Sequence, residues 1–167
     1  MKRIIYLACF LAIIGAIAGG ILAFVNEMTY ERINEMAIAS EKENLVKIYP
    51  NANFEEVSFK DESDYIEKVF KADNGAYIYK VKVYGYKDYV SYLVAIKSDK
   101  IDGFAVISVN DTPGYGMKIA DDEYKSALVG TSTGSNDHIM SGVTITTRSV
   151  ANGIDAAFEL NNSLGGK

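Results

Sequence analysis

The chain has 167 residues, 49% hydrophobic and 23% charged, with two prolines and one cysteine, a size that suits one small folded unit. Its formal charge is −5, and setting aside the segment to Val25, whose only charges are Lys2 and Arg3, leaves 15 basic against 22 acidic residues, or −7. No basic face is left over to neutralise phosphates, so no nucleic-acid partner is expected. Cys9 is the one cysteine and lies in an apolar run, which excludes an internal disulfide and a thiolate metal cage. A zinc site or a Ser-His-Asp triad would rest on the single histidine, His138, so neither a metal site nor a catalytic residue is assigned.

From Ile4 to Val25 the chain runs 22 residues without a charge, enough for a helix to cross a hydrocarbon core of about 30 Å. Lys2 and Arg3 precede this stretch, and Asn26 and Glu27 follow it. The positive-inside rule therefore keeps the N-terminus in the cytoplasm and puts the rest of the chain outside it, as a single-pass protein of the cell membrane. Ala16-Ile17-Ala18 has the small-x-small form of a signal-peptide cleavage site, but the apolar run continues through Val25 where a mature N-terminus would turn polar. Lipidation at Cys9 is not expected, because Tyr6 stands where a lipobox has a leucine-like residue. Gly15 and Gly19 stand in GxxxG spacing, which permits close helix packing but is also common in membrane helices generally.

Thr29 to Ile48 contains no Gly or Pro and repeats apolar residues at helical spacing, so a helix leaves the membrane and ends before Pro50, Asn51 and Asn53. In Phe54 to Lys71 the apolar residues are too scattered to assign an element. After the Asn74-Gly75 turn, Ala76 to Tyr86 alternates with Tyr77, Tyr79, Val81 and Val83 on one face of a strand. Val90 to Ile96 and Ile101 to Val109 form an antiparallel hairpin about Ser98-Asp99-Lys100. The tyrosines read as sheet packing. Ala120 to Val129 reads as a short helix with Asp121, Asp122 and Glu123 in its acidic first turn, followed by a polar loop from Thr131 to Asn136. After Thr147, the spacing of Val150, Ile154 and Phe158 predicts a final helix docked on the sheet and capped by Thr146 and Thr147.

Ser141-Gly142-Val143-Thr144 stands directly before that cap. Gly142 allows close backbone approach, the first-turn amides and dipole of the helix favour a phosphate, and Arg148 adds positive charge. An ordinary capped helix has the same composition.

The segment SGVTITTRSV, 141–150, resembles the flavinylation motif Ser/Thr-Gly-Ala-Thr-x-Thr/Ser of the FMN-binding domain found in the G subunit of Rnf complexes and in the C subunit of the sodium-pumping NADH:quinone oxidoreductase. NDTPGYGMKI, 110–119, is similar to that family's Glu-Thr-Pro-Gly-Leu-Gly-x-Lys-Ile loop, and one N-terminal membrane helix, strands, loop and threonine motif follow in the same order. The resemblance implies FMN joined through its phosphate to the Thr144 hydroxyl, with Thr146 as the fallback acceptor and Ser141, Gly142, Val143, Thr147 and Arg148 around it. It further implies that Asp111, Thr112, Pro113 and Gly114 line the flavin, although that stretch also reads simply as a turn after a strand. A separate flavin transferase with FAD as donor would make the bond. The chain would be a carrier with no complete active site of its own, relaying electrons among other Rnf-type membrane subunits from ferredoxin toward NAD, with export of sodium or protons.

Val143 replaces the family's alanine, Asp111 its glutamate, and the aspartate three residues before the serine falls on His138, with Asp137 one place further back. The expected organisation is α+β: an anchor at 1–28, a membrane-proximal helix at 29–50, and an extracytoplasmic FMN-binding domain at 51–167 with antiparallel strands and packed helices. Two other readings are a stand-alone anchored flavoprotein, told apart by which subunits co-purify, and a flavin-free anchored module, which would be colourless.

Overall fold

A computed structural model describes residues 2–60, 63–109, 116–133 and 139–165, with the backbone alone over 31–38. The chain divides into two compact units, Met1–Ser40 and Glu41–Lys167. A single helix, α1 (Lys2–Ile48), supplies the first unit and the opening turns of the second. The stretch Lys2–Tyr30 is long and apolar enough to cross a membrane, and its side chains are exposed along its length. Among the described residues, a methyl group added at Gly15, Gly19 or Gly20 would meet nothing within 4 Å. The helix ends at Ile48, as the Pro50 signal predicts.

The second unit is built on a five-stranded antiparallel meander in sequential order: β1 (Phe54–Val57), β2 (Ile66–Ala72), β3 (Tyr77–Tyr84), β4 (Tyr89–Lys97) and β5 (Lys100–Val109). An antiparallel sheet with packed helices makes the fold α+β. The first two strands lie in the stretch where alternation assigned nothing. In β2 the register shifts between Ile66 and Lys68, and the adjacent Val69 and Phe70 are both buried, one on each face of the sheet. A bulge and two covered faces each erase the period of two on which strand reading depends. The β4–β5 turn follows its sequence signal closely. Ser98 and Asp99 both have positive φ, 52° and 56°, the pairing that a two-residue type I′ hairpin needs. β3 ends at Tyr84, so Tyr86 lies in the β3–β4 turn and not in the strand.

Residues 116–120 form a 3-10 turn before α2 (Asp122–Leu128), which is shorter than the expected Ala120–Val129: Ala120 closes the 3-10 turn, Asp121 and Val129 cap α2, and Asp122 and Glu123 stand in its first turn. The last helix, α3 (Thr144–Ser163), lays Val150, Ile154, Ala157 and Phe158 on Tyr79, Val81, Val83, Tyr92 and Val94. Two buried phenols fasten it there: Tyr92 donates to the Val150 carbonyl at 2.8 Å and Tyr79 to Asn161 Oδ1 at 2.9 Å. Burial holds the Tyr92 phenol well above its ordinary pKa, helped by Tyr124 and Asp155, and burial also raises Tyr79 and Tyr124. Gly153 permits the close approach, since a Cβ there would collide with Tyr92 Oη and come within 2.7 Å of Val81 and 2.9 Å of Val83.

The opposite face of the sheet, through Phe70, Ile78, Leu93 and Ala95, is covered by Leu45 and Ile48 at the end of α1. Buried Glu41 pairs with Lys68 at 3.1 Å and Lys80 at 3.8 Å, and Tyr49 Oη donates to Asp102. Apolar side chains thus pack on both faces of the sheet.

Candidate functional site

One end of the sheet gathers the pieces. The register pairs Tyr84 with Tyr89 and Val90 with Val109, so the β3–β4 turn and the exit of β5 share that end. The Tyr86 amide donates to Thr146 Oγ1 at 3.3 Å, which brings the first turn of α3 to the same place.

A tight turn precedes this helix. Val143 N–H donates to the Met140 carbonyl at 3.0 Å, and Gly142 takes φ +81°, a left-handed value suited to the third position of a type II turn and natural for glycine. Val143 tucks its side chain into the core and serves as N-cap, and α3 begins at Thr144.

This start corrects the sequence reading, which begins the helix after Thr147 and gives Thr146 and Thr147 the cap. Both lie inside the first turn, 2% and 1% exposed. Thr146 Oγ1 accepts the Tyr86 amide, and Thr147 Oγ1 donates back to the Val143 carbonyl at 3.0 Å. Three threonines within four residues all suit a cap by type, and only packing tells them apart. Thr146 and Thr147 continue the buried stripe of Val150 back by one turn, a position local composition does not reveal.

The outcome is a helix start that ignores the usual rules. Valine is among the poorest N-cap residues, and among the described residues no side chain caps the first turn. No acidic residue stands in that turn, and Arg148 places a cation next to the positive end of the dipole. By helix geometry the leading amides have no intrahelical acceptor. Ser141, Gly142, Thr144, Ile145 and Arg148 are exposed or half-exposed around them. Such a surface suits a phosphate ester: open amide donors, one cation and a hydroxyl at the first helical residue. The residues present therefore fit FMN held through its phosphate.

Asp111, Thr112, Pro113 and Gly114 lie outside the described residues, between Val109 at the end of β5 and Gly116 at the 3-10 turn, and so do Asp137 and His138. Sequence reasoning missed the Tyr86 turn. Its available signal was the glycine in Tyr84-Gly85-Tyr86, which interrupts the strand pattern.

The FMN-binding domain family matches residues 85–159, from this turn to the late part of α3. The chain is 29% identical to the G subunit of the Na(+)-translocating ferredoxin:NAD(+) oxidoreductase complex of Acetobacterium woodii, over 98% of this chain and 94% of that one. It is 25% identical to the G subunit of the ion-translocating oxidoreductase complex of Methanosarcina acetivorans, over 95% and 94%. With the G subunit of the proton-translocating ferredoxin:NAD(+) oxidoreductase complex of Clostridium ljungdahlii it shares 30% identity, over 55% of this chain and 57% of that one. The matched domain and the full-length similarity agree: residues 85–159 match the FMN-binding domain family, and over nearly its whole length the chain is similar to the G subunits of ion-translocating oxidoreductase complexes.

Proposed function

We propose that the chain is the electron-carrier subunit of an Rnf-type ferredoxin:NAD oxidoreductase and carries FMN as a phosphoester on Thr144. The observation that carries this reading is the contrast in accessibility within the motif: Thr144 is exposed at the first residue of α3, while Thr146 and Thr147 are buried and hydrogen-bonded. Attachment by a flavin transferase is a balanced phosphoryl transfer. Thr144 Oγ1 bonds to the FMN-side phosphorus of FAD, the pyrophosphate bond breaks, AMP leaves, and the hydroxyl proton passes to a base of the transferase.

Within the chain, the leading amides of α3 and Arg148 hold the phosphate charge. Gly142 shapes the turn, and buried Val143 anchors it. FMN supplies one- and two-electron transfer, and the protein's part is to keep it in place. Of the chain's relatives, one is named for sodium translocation and another for proton translocation, so export of either ion is compatible with the fold. Lys2 and Arg3 ahead of the apolar stretch favour a cytoplasmic N-terminus, with the anchor at 1–28, the membrane-proximal helix at 29–50 and the FMN domain at 51–167 on the other side of the membrane.

Intact mass and peptide mapping of the protein taken from its native membrane test this. A gain of FMN minus water on the Thr144 peptide is the expected result. An unmodified chain made beside a competent transferase overturns the covalent reading. Co-purification with multi-helix membrane subunits is expected for the complex, and isolation alone would leave a stand-alone flavoprotein.

A further inference from the structure

The first turn of α3 lacks the device that most helix starts use, and a buried hydroxyl stands in for it. Val143 is the N-cap and offers no side-chain oxygen, so among the described residues no side chain caps the leading amides. Thr147, one turn further on, is bound back toward the start. It is 1% exposed, and its Oγ1 donates to the Val143 carbonyl at 3.0 Å, with the Thr144 carbonyl 3.4 Å away. The same Val143 carbonyl also accepts the Thr147 amide at 3.0 Å. One residue therefore grips the N-cap carbonyl through both its backbone and its side chain, while its hydroxyl also faces the carbonyl of Thr144.

A threonine inside a helix often bonds the carbonyl four residues back, and in mid-helix that bond does little more than satisfy the hydroxyl. Here the carbonyl is that of the N-cap, and the next residue is the proposed flavin acceptor. The carbonyls of Val143 and Thr144 belong to the two peptide planes that flank the Thr144 Cα. Holding them sets the backbone from which the Thr144 hydroxyl projects. Without such a hold this end would fray, because first-turn residues share few hydrogen bonds and Gly142, at φ +81°, leaves the preceding turn free to reorient. Burial keeps water from competing for the Thr147 hydroxyl and strengthens its bond. Attack on a phosphorus depends on such placement, since a small displacement of the nucleophile costs much of the rate.

We propose that Thr147 is a positioning residue for flavinylation, an inference that rests on Thr144 being the acceptor. From the buried side of α3 its hydroxyl holds the two peptide planes about Thr144 and so aims the acceptor hydroxyl at the FMN-side phosphorus of FAD. The new bond forms there, the pyrophosphate bond breaks, AMP leaves, and the hydroxyl proton passes to a base of the transferase. Thr147 acts through the backbone alone. The resemblance puts it beside the flavin, and its burial gives it this indirect part instead.

The test is the kinetics of flavinylation of the full chain in detergent, with purified flavin transferase and FAD, for the wild type, Thr147→Val and Thr147→Ser. Valine keeps the branched shape and the amide bond and removes only the hydroxyl, whereas serine keeps the hydroxyl. Mass spectrometry of the Thr144 peptide reads the rate. Hydrogen exchange of the Thr147 amide in the flavin-free chain reads the turn without any flavin. In Thr147→Val, kcat should fall about tenfold, the size of one hydrogen bond, with KM for the chain little changed and the amide exchanging severalfold faster. Thr147→Ser should bring both back close to the wild type. A Thr147→Val protein with the wild-type rate or the wild-type exchange overturns the positioning role, as does a Thr147→Ser protein as slow as Thr147→Val. An effect confined to KM overturns it too, because it would make Thr147 part of the surface on which the transferase docks. A wild type with no added mass at Thr144 overturns the proposed function, and this inference with it. Thr147→Ala also lacks the hydroxyl and gives the same comparison if Thr147→Val fails to fold.

Discussion

The two ends of the contact between α3 and the sheet obey different rules. In the middle, every choice serves packing: Gly153 lets the helix settle on Tyr92, Val81 and Val83, while Val150, Ile154 and Ala157 fill the space on either side. At the first turn, local rules for helices are broken, with valine at the N-cap, no acidic residue, arginine nearby and an exposed isoleucine. Sites where propensity, capping and charge disagree with the fold are where function is expected to impose its own demand. On the proposed function, one helix carries a stability end and a ligand end, and substitutions should separate them.

The sharpest separation is at Thr144. Thr144→Val should abolish covalent flavin, read as loss of the mass increment, while shifting the melting temperature little, because exposed positions change stability by about 0.5 kcal/mol or less. Melting that fell together with flavin loss would erase the contrast between the two ends. The converse variant is Gly153→Ala. Its Cβ has no room against Tyr92, Val81 and Val83, so a loss of about 1–3 kcal/mol is expected in urea unfolding, with the flavin still attached to the folded fraction.

Alkaline pH probes the packed region without mutation. Tyr79, Tyr92 and Tyr124 have phenols raised by burial above the ordinary value of about 10. Below about pH 10 the folded and unfolded chains both keep these protons, so the contribution is fully present. Above it the unfolded chain ionises first, and stability should fall as pH rises toward the folded-state values. Urea midpoints that stayed flat from pH 9 to about pH 11 would contradict the buried phenols.

The smallest effect is expected at Arg148. Arg148→Glu places an acid near the helix N-terminus and should stabilise the flavin-free protein by about 0.3–1 kcal/mol, the usual size of a dipole interaction. The same change should slow flavinylation by repelling the phosphate. Stabilisation without any change in the rate of flavinylation would remove Arg148 from the ligand end.

The Tyr86 turn shows where reading along the chain stops. The alternation in β3 to β5, the Ser98-Asp99 turn and the stripe of α3 were legible because each is a local pattern with a fixed period. β1 and β2 were not, since Val69 and Phe70 face two separate cores and the β2 register slips at Ile66 and Lys68. Burial on both faces makes a strand look patternless until the neighbours that cover it are known.

By itself, the amino-acid sequence determined the uncharged run long enough to cross a membrane, the α+β class, and a motif whose residue types suit a phosphate-linked flavin. These depend on neighbours in the chain, where composition and spacing act directly. The tertiary structure decided which threonine faces solvent, where α3 begins, and that a turn 60 residues away is bound to its first turn. Exposure and long-range hydrogen bonds belong to the packed surface, and three threonines of identical chemistry become different only when one side of their helix is pressed against a sheet.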